Sequence, residues 1–206
     1  MRNQKLVDVL DDIETKSAKR TKEQACYVTT DGDCLFCVDG KKSSVTPSDK
    51  QIQTIKGKGK KLIVTHNRPY PYDSSITKED LQVTINNDSA GIRAITKKWT
   101  YVAMRPEKGW GISWIEAGNI YDKHFKETKK QFDRDYQNDK MSARFYEDNL
   151  THRVMEKVAK ELGINYFRFE NDEKQRNKSK NKTPVKKNTK RKSSSKTPFI
   201  NMGNLF

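Results

Sequence analysis

From Lys174 to Lys196 the chain reads KQRNKSKNKTPVKKNTKRKSSSK, with eleven Lys or Arg, no acid and almost no apolar side chain. Such a segment buries too little apolar surface to offset the entropy lost on ordering it, so it can join no core. Of the net charge of +15, these eleven charges leave +4 for everything else. The body is therefore mildly basic and the excess sits in a tail. A charge run of this kind, with Lys186, Lys187, Lys190, Arg191 and Lys192, points to sequence-independent contact with the phosphates of DNA or RNA. A solvated spacer or contact with anionic lipid are the other readings. A mean hydropathy of −1.02 agrees that part of the chain is solvated. The last ten residues, TPFINMGNLF (Thr197–Phe206), turn apolar again and receive no assigned role.

Upstream, no run approaches the roughly 20 apolar residues of a membrane span, and the first twenty residues lack the apolar stretch of a signal peptide. The expected location is the cytoplasm. Residues 4–19 place Leu6, Val7, Leu10 and Ile13 at helical spacing. In ACYVTTDGDCLFCVDG, two short β-branched and aromatic runs flank Asp31-Gly32-Asp33, which predicts a hairpin. Residues 48–55 form a short helix that Gly57 would end, and Gly57-Lys58-Gly59-Lys60 reads as a turn, since it lacks the length and closing Ser or Thr of a phosphate-binding loop. KLIVT is a buried strand. Thr77 and Asp80 open the next helix as a capping box, with Gly91 closing it. GIRAIT and TYVAMRP are two further strands. After Gly118 the period turns helical, with Tyr121, Phe125, Phe132 and Tyr136 on one stripe and Leu150, Val154, Val158 and Leu162 on another.

This pattern predicts an α+β fold, a mixed α/β/α arrangement with a central sheet flanked by helices. Its parts are an N-terminal helix (1–19), a main domain (20–115), a helical extension (116–170) and a disordered basic tail (171–206).

Cys26, Cys34 and Cys37 are odd in number, which argues against a disulfide framework. Cys34-Leu35-Phe36-Cys37 is a C-x-x-C, but in a strand its two thiols should point to opposite faces, which disfavours a metal site. They are expected to be structural cysteines.

The segment with most chemistry is VTHNRPYPYDSSITKEDLQV (Val64–Val83). His66 at a strand end and Asp80 fourteen residues on are both metal-ligand types, but a catalytic zinc takes about three protein ligands and an open position for water. Only two are visible, and the Arg68 guanidinium offers only donors and a fixed positive charge.

His66-Asn67-Arg68-Pro69, seven residues, then Thr77-Lys78-Glu79-Asp80 resembles the JAB/JAMM (MPN) metalloproteases, whose pattern is His-x-His-Pro, seven residues, Ser-x-x-Asp, with a Glu upstream. The resemblance spans roughly residues 20–108 and looks most like the JAB-related domains of RadC-like and phage or prophage proteins. It implies a JAB/MPN-like sheet. It implies His66 and Asp80 as zinc ligands, Glu23 as the base toward zinc-bound water, and Thr77 at the Ser whose hydroxyl stabilises the oxyanion. Arg68 stands where the family has its second His ligand. The expectation is a degenerate site in which Arg68 pairs with Asp80 or Glu23 and no cofactor is bound. Zinc is the metal an active site would take, and neither Asp73 nor the cysteines recommend themselves as a replacement ligand.

Two other groups read as structural. His124 and His152 are expected to be solvated on amphipathic helices. Trp99, Tyr101, Trp110 and Trp114 lie near Lys97, Lys98, Arg105 and Lys108, where core packing is favoured over nucleotide stacking. Three functions follow. The first is a phage- or prophage-related binding module with a nucleic-acid-contacting tail, a virion role and a protein partner being options by analogy. The second is a zinc isopeptidase or peptidase with altered ligands. The third is a general basic nucleic-acid-binding protein.

Overall fold

The structure is a computed structural model that describes residues 3–42, 44–69 and 74–171. Lys186, Lys187, Lys190, Arg191 and Lys192, the Thr197–Phe206 end and Asp73 lie outside the described residues.

The fold is mixed α+β around one six-stranded open sheet of order β2-β1-β3-β4-β5-β6. Helix α1 (Gln4–Ser17) is followed by β1 (Gln24–Thr29) and β2 (Cys34–Asp39), then α2 (Asp49–Lys58) and β3 (Leu62–Asn67). Helix α3 (Lys78–Asn86) leads to β4 (Gly91–Ile95) and β5 (Trp99–Met104). Helices α4 (Trp114–Gln137) and α5 (Ala143–Leu162) precede β6 (Asn165–Glu170). Only β3 and β4 pair in parallel, with α3 as their crossover; all other neighbours are antiparallel.

Strand alternation splits the sheet between two cores. Ala25, Tyr27, Leu62, Val64, Ile92, Ala94, Tyr101 and Ala103 face α2 to α5 and meet Ile55, Leu81, Ile85, Tyr121, Val154 and Val158. Val28, Ile63, Val102 and Met104 face the other way, onto Leu6 and Leu10 of α1. Each fully buried aliphatic side chain contributes about 1.5–3 kcal/mol. On the α1 face Glu14 is fully buried and pairs with Arg93 through one guanidinium edge, Nε donating to Oε1 and Nη2 to Oε2 at 3.0 Å, while Thr65 Oγ1 donates to the same carboxylate at 3.2 Å.

Several local expectations are corrected. Residues 165–170 are a strand, because Tyr166, Phe167 and Phe169 can pair and pack against the open side of β5. Helix α2 runs through Gly57 to Lys58, so Gly57 does not end it, and a 3-10 turn (Gly59–Lys61) follows. Helix α3 stops at Asn86, four residues before Ala90, and Asp88 takes a positive φ of 48° beyond it. Gly91 instead begins β4, where a Cβ would stand 2.7 Å from the Ala103 carbonyl oxygen. The hairpin expected at Asp31-Gly32-Asp33 is present, and Gly32 holds φ +85° against the backbone of Leu6.

The cysteines also depart from expectation. Cys26 and Cys37 lie directly opposite in the β1–β2 ladder and form a disulfide. The register steps from Tyr27↔Phe36 to Val28↔Cys34, so Leu35 is an extra residue. This bulge turns Cys34 onto the same face as Cys37, where simple alternation would have separated them.

Candidate functional site

The site lies at the carboxyl end of β3, where five residues singled out in the sequence come together. His66 ends the run Leu62-Val64-His66 that faces α3, and its neighbour in β1 is Ala25. Asn67 points the other way and fixes the chain leading into β1. Its Oδ1 accepts the Gln24 N–H at 2.7 Å and its Nδ2 donates to the Lys22 carbonyl at 3.1 Å. The Glu23 backbone is held from the far side by Lys41 and Gly40 at 2.9 and 2.8 Å. These bonds aim the Glu23 carboxylate at His66, whose Nδ1–H donates to Glu23 Oε1 at 2.9 Å.

Asp80 arrives from α3. Thr77 is the N-cap: its Oγ1 accepts the Asp80 N–H at 3.4 Å, and Asp80 Oδ2 accepts the Thr77 N–H at 2.8 Å. This is the reciprocal capping box, and it uses the Thr77 hydroxyl as a helix cap. Helix α3 is in turn held against α4 by Lys78 and Asp122 at 2.5 Å.

Arg68 joins the two carboxylates. Its backbone N–H donates to the Ile95 carbonyl at 2.6 Å, which extends the β3–β4 ladder by one residue. Its Nη2 donates to Asp80 Oδ2 and its Nη1 to Glu23 Oε1, the latter at 3.4 Å. Glu23 Oε1 thus accepts from both His66 and Arg68. His66 Nε2 stands 3.7 Å from Asp80 Oδ1. Among the described residues neither that nitrogen nor Glu23 Oε2 has a hydrogen-bond partner. The side chains of Glu23 and His66 are each 5% exposed and that of Arg68 is 11% exposed. Burial pushes the Asp80 carboxyl up, but His66, Arg68 and the Thr77 N–H outweigh it and hold it below the ordinary carboxylate value. Tyr121 packs nearby, its hydroxyl pushed up by burial and by Asp80 and Glu79.

This donor set does not fit zinc. His66 and Asp80 are two ligands of the three a catalytic zinc takes. The third direction carries a guanidinium already bonded to Asp80, with no lone pair to offer. Among the described residues no three His, Cys, Asp or Glu side chains gather to hold a metal ion. The arrangement can do something else: one cation bridges the buried Glu23 carboxylate and the partly buried Asp80 carboxylate and fixes both in place.

The remaining candidates separate. His152 is buried, not solvated: its Nδ1 meets the Tyr166 hydroxyl at 2.9 Å, its ring packs on Tyr101, and burial lowers its pKa to about 4. Only a knowledge of β6, which supplies Tyr166, could have shown this. His124 pairs with Glu161 at 2.8 Å. Trp110 is buried and donates to the Ser89 carbonyl at 3.0 Å, Tyr101 is in the core, and Trp114 is exposed. Trp99 lies between cations, with Lys98 Nζ 4.9 Å and Arg168 Cζ 4.4 Å from its ring centre. Sequence reasoning missed Asn67 as the residue that positions Glu23, although its place between His66 and Arg68 was a signal. No helix among the described residues is long and apolar enough to cross a membrane. No family model, no curated protein and no solved structure matches the chain.

Proposed function

We propose that this chain is a metal-free binding module on a JAB-like scaffold, of the phage or prophage type, whose basic segment 174–196 contacts nucleic acid. The observation that carries the metal-free part is Arg68 bonded to both Glu23 and Asp80. A guanidinium in that position does for the two carboxylates what a divalent cation would otherwise do, and it leaves no open coordination position for water. The JAB-like character rests on the spacing from His66 to Asp80 and on the upstream Glu23. The nucleic-acid part rests on eleven positive charges with no acid among them.

The test is the salt dependence of duplex DNA binding by the full chain. With about six of those charges on phosphates, the slope of log K against log salt is expected near roughly −5. Binding that does not weaken with salt, or that survives removal of residues 174–206 unchanged, contradicts the reading.

A further inference from the structure

The third cysteine bears on the disulfide beside it. Cys26 is buried in β1 at 1% exposure, while Cys34 and Cys37 are exposed on β2. The bulge at Leu35 sets Cys34 Sγ 4.0 Å from Cys37 Sγ, on the face that carries the Cys26–Cys37 bond. A free thiol in contact with the solvent-facing sulfur of a disulfide is the arrangement that thiol–disulfide exchange requires. A strand without the bulge would have kept Cys34 on the opposite face.

We propose that Cys26, Cys34 and Cys37 form an internal thiol–disulfide exchange centre, with Cys34 as its nucleophile. The Cys34 thiol gives its proton to solvent, and the thiolate attacks Cys37 Sγ. The Cys34–Cys37 bond forms as the Cys37–Cys26 bond breaks. The electron pair leaves on Cys26 Sγ, which takes up a proton. No oxidant or reductant is consumed, and two disulfide isomers interconvert. In the exchanged form the covalent tie between β1 and β2 is absent, three residues from Glu23. Burial pushes the Cys34 thiol up, so exchange is slow at neutral pH and speeds with alkalinity.

The experiment is differential alkylation of the full chain, purified without reductant. After timed incubation at several pH values, the protein is acid-quenched, alkylated under denaturing conditions and mapped by mass spectrometry. One free thiol per chain is expected, divided between Cys34 and Cys26. The Cys26 label should grow with time, its initial rate rising roughly tenfold per pH unit below the thiol pKa. In Cys34→Ser the Cys26 label should be absent, and Cys26→Ser should close a Cys34–Cys37 disulfide. Label confined to Cys34 at every pH, or on all three cysteines, overturns the proposal. So does Cys26 label in Cys34→Ser, or two free thiols in Cys26→Ser after air oxidation.

Discussion

Arg68 donates to Asp80 across twelve residues of chain, from the end of β3 to the first turn of α3. The same guanidinium reaches Glu23 in the chain leading into β1. One side chain therefore ties three parts of the fold, at a point where one carboxylate is buried and the other partly buried.

Removing that guanidinium leaves Glu23 and Asp80 close together without their shared cation. Breaking a buried pair by deleting one partner costs about 3–5 kcal/mol, so Arg68→Ala should lower the unfolding free energy by about that much in urea titration. Arg68→Lys should rescue little, because one ammonium cannot span both carboxylates as the fork does. A loss below about 1 kcal/mol for Arg68→Ala would show that the pairing contributes little.

Asn67 holds the chain at Lys22 and Gln24 through two hydrogen bonds. Asn67→Ala removes the side-chain partners of the Gln24 N–H and the Lys22 carbonyl, two part-buried bonds worth about 0.5–1.5 kcal/mol each. Hydrogen exchange at the Gln24 amide should accelerate in this variant, while the amides of β4 and β5 keep their protection. An unchanged Gln24 amide would mean that the hairpin alone places Glu23.

His152 makes stability depend on mildly acid pH. Its folded pKa of about 4 lies below the ordinary 6.5, so the unfolded chain binds the proton more readily. Its contribution is complete above pH 6.5 and is lost as pH falls toward 4. Between pH 7 and pH 5, wild type should lose about 2 kcal/mol more than His152→Gln, from the shift at 1.36 kcal/mol per pKa unit. Parallel pH profiles for the two proteins would contradict this.

Much of this architecture was legible in the sequence, and the failures have physical causes. The capping box at Thr77 and Asp80 and the turn at Asp31-Gly32-Asp33 are local chemistry, which a sequence carries directly. The convergence of Glu23, His66 and Asp80 is long-range and was implied only by the resemblance of the His66–Asp80 segment to a known family, not by local propensity. β6 was missed because NYFRFE follows a long helix and shows its strand character only beside β5. Without β6, His152 looked solvated. The Cys26–Cys37 pair depended on a one-residue bulge, and a bulge inverts face assignments for every residue beyond it. Glu14 sat among apolar helix positions and gave no hint of Arg93, seventy-nine residues away.

The most direct measurement is zinc stoichiometry, with thermal unfolding, for wild type and Arg68→His side by side. The substitution supplies a second imidazole two residues from His66, leaving Asp80 and Glu23 in place. Wild type should hold well under one zinc per chain, with a melting temperature indifferent to zinc or chelator. Arg68→His should melt below wild type in chelator, take up one zinc, and gain about 2.7 kcal/mol when free zinc is a hundredfold above its dissociation constant. One zinc per wild-type chain, lost to chelator with a fall in melting temperature, would contradict the account.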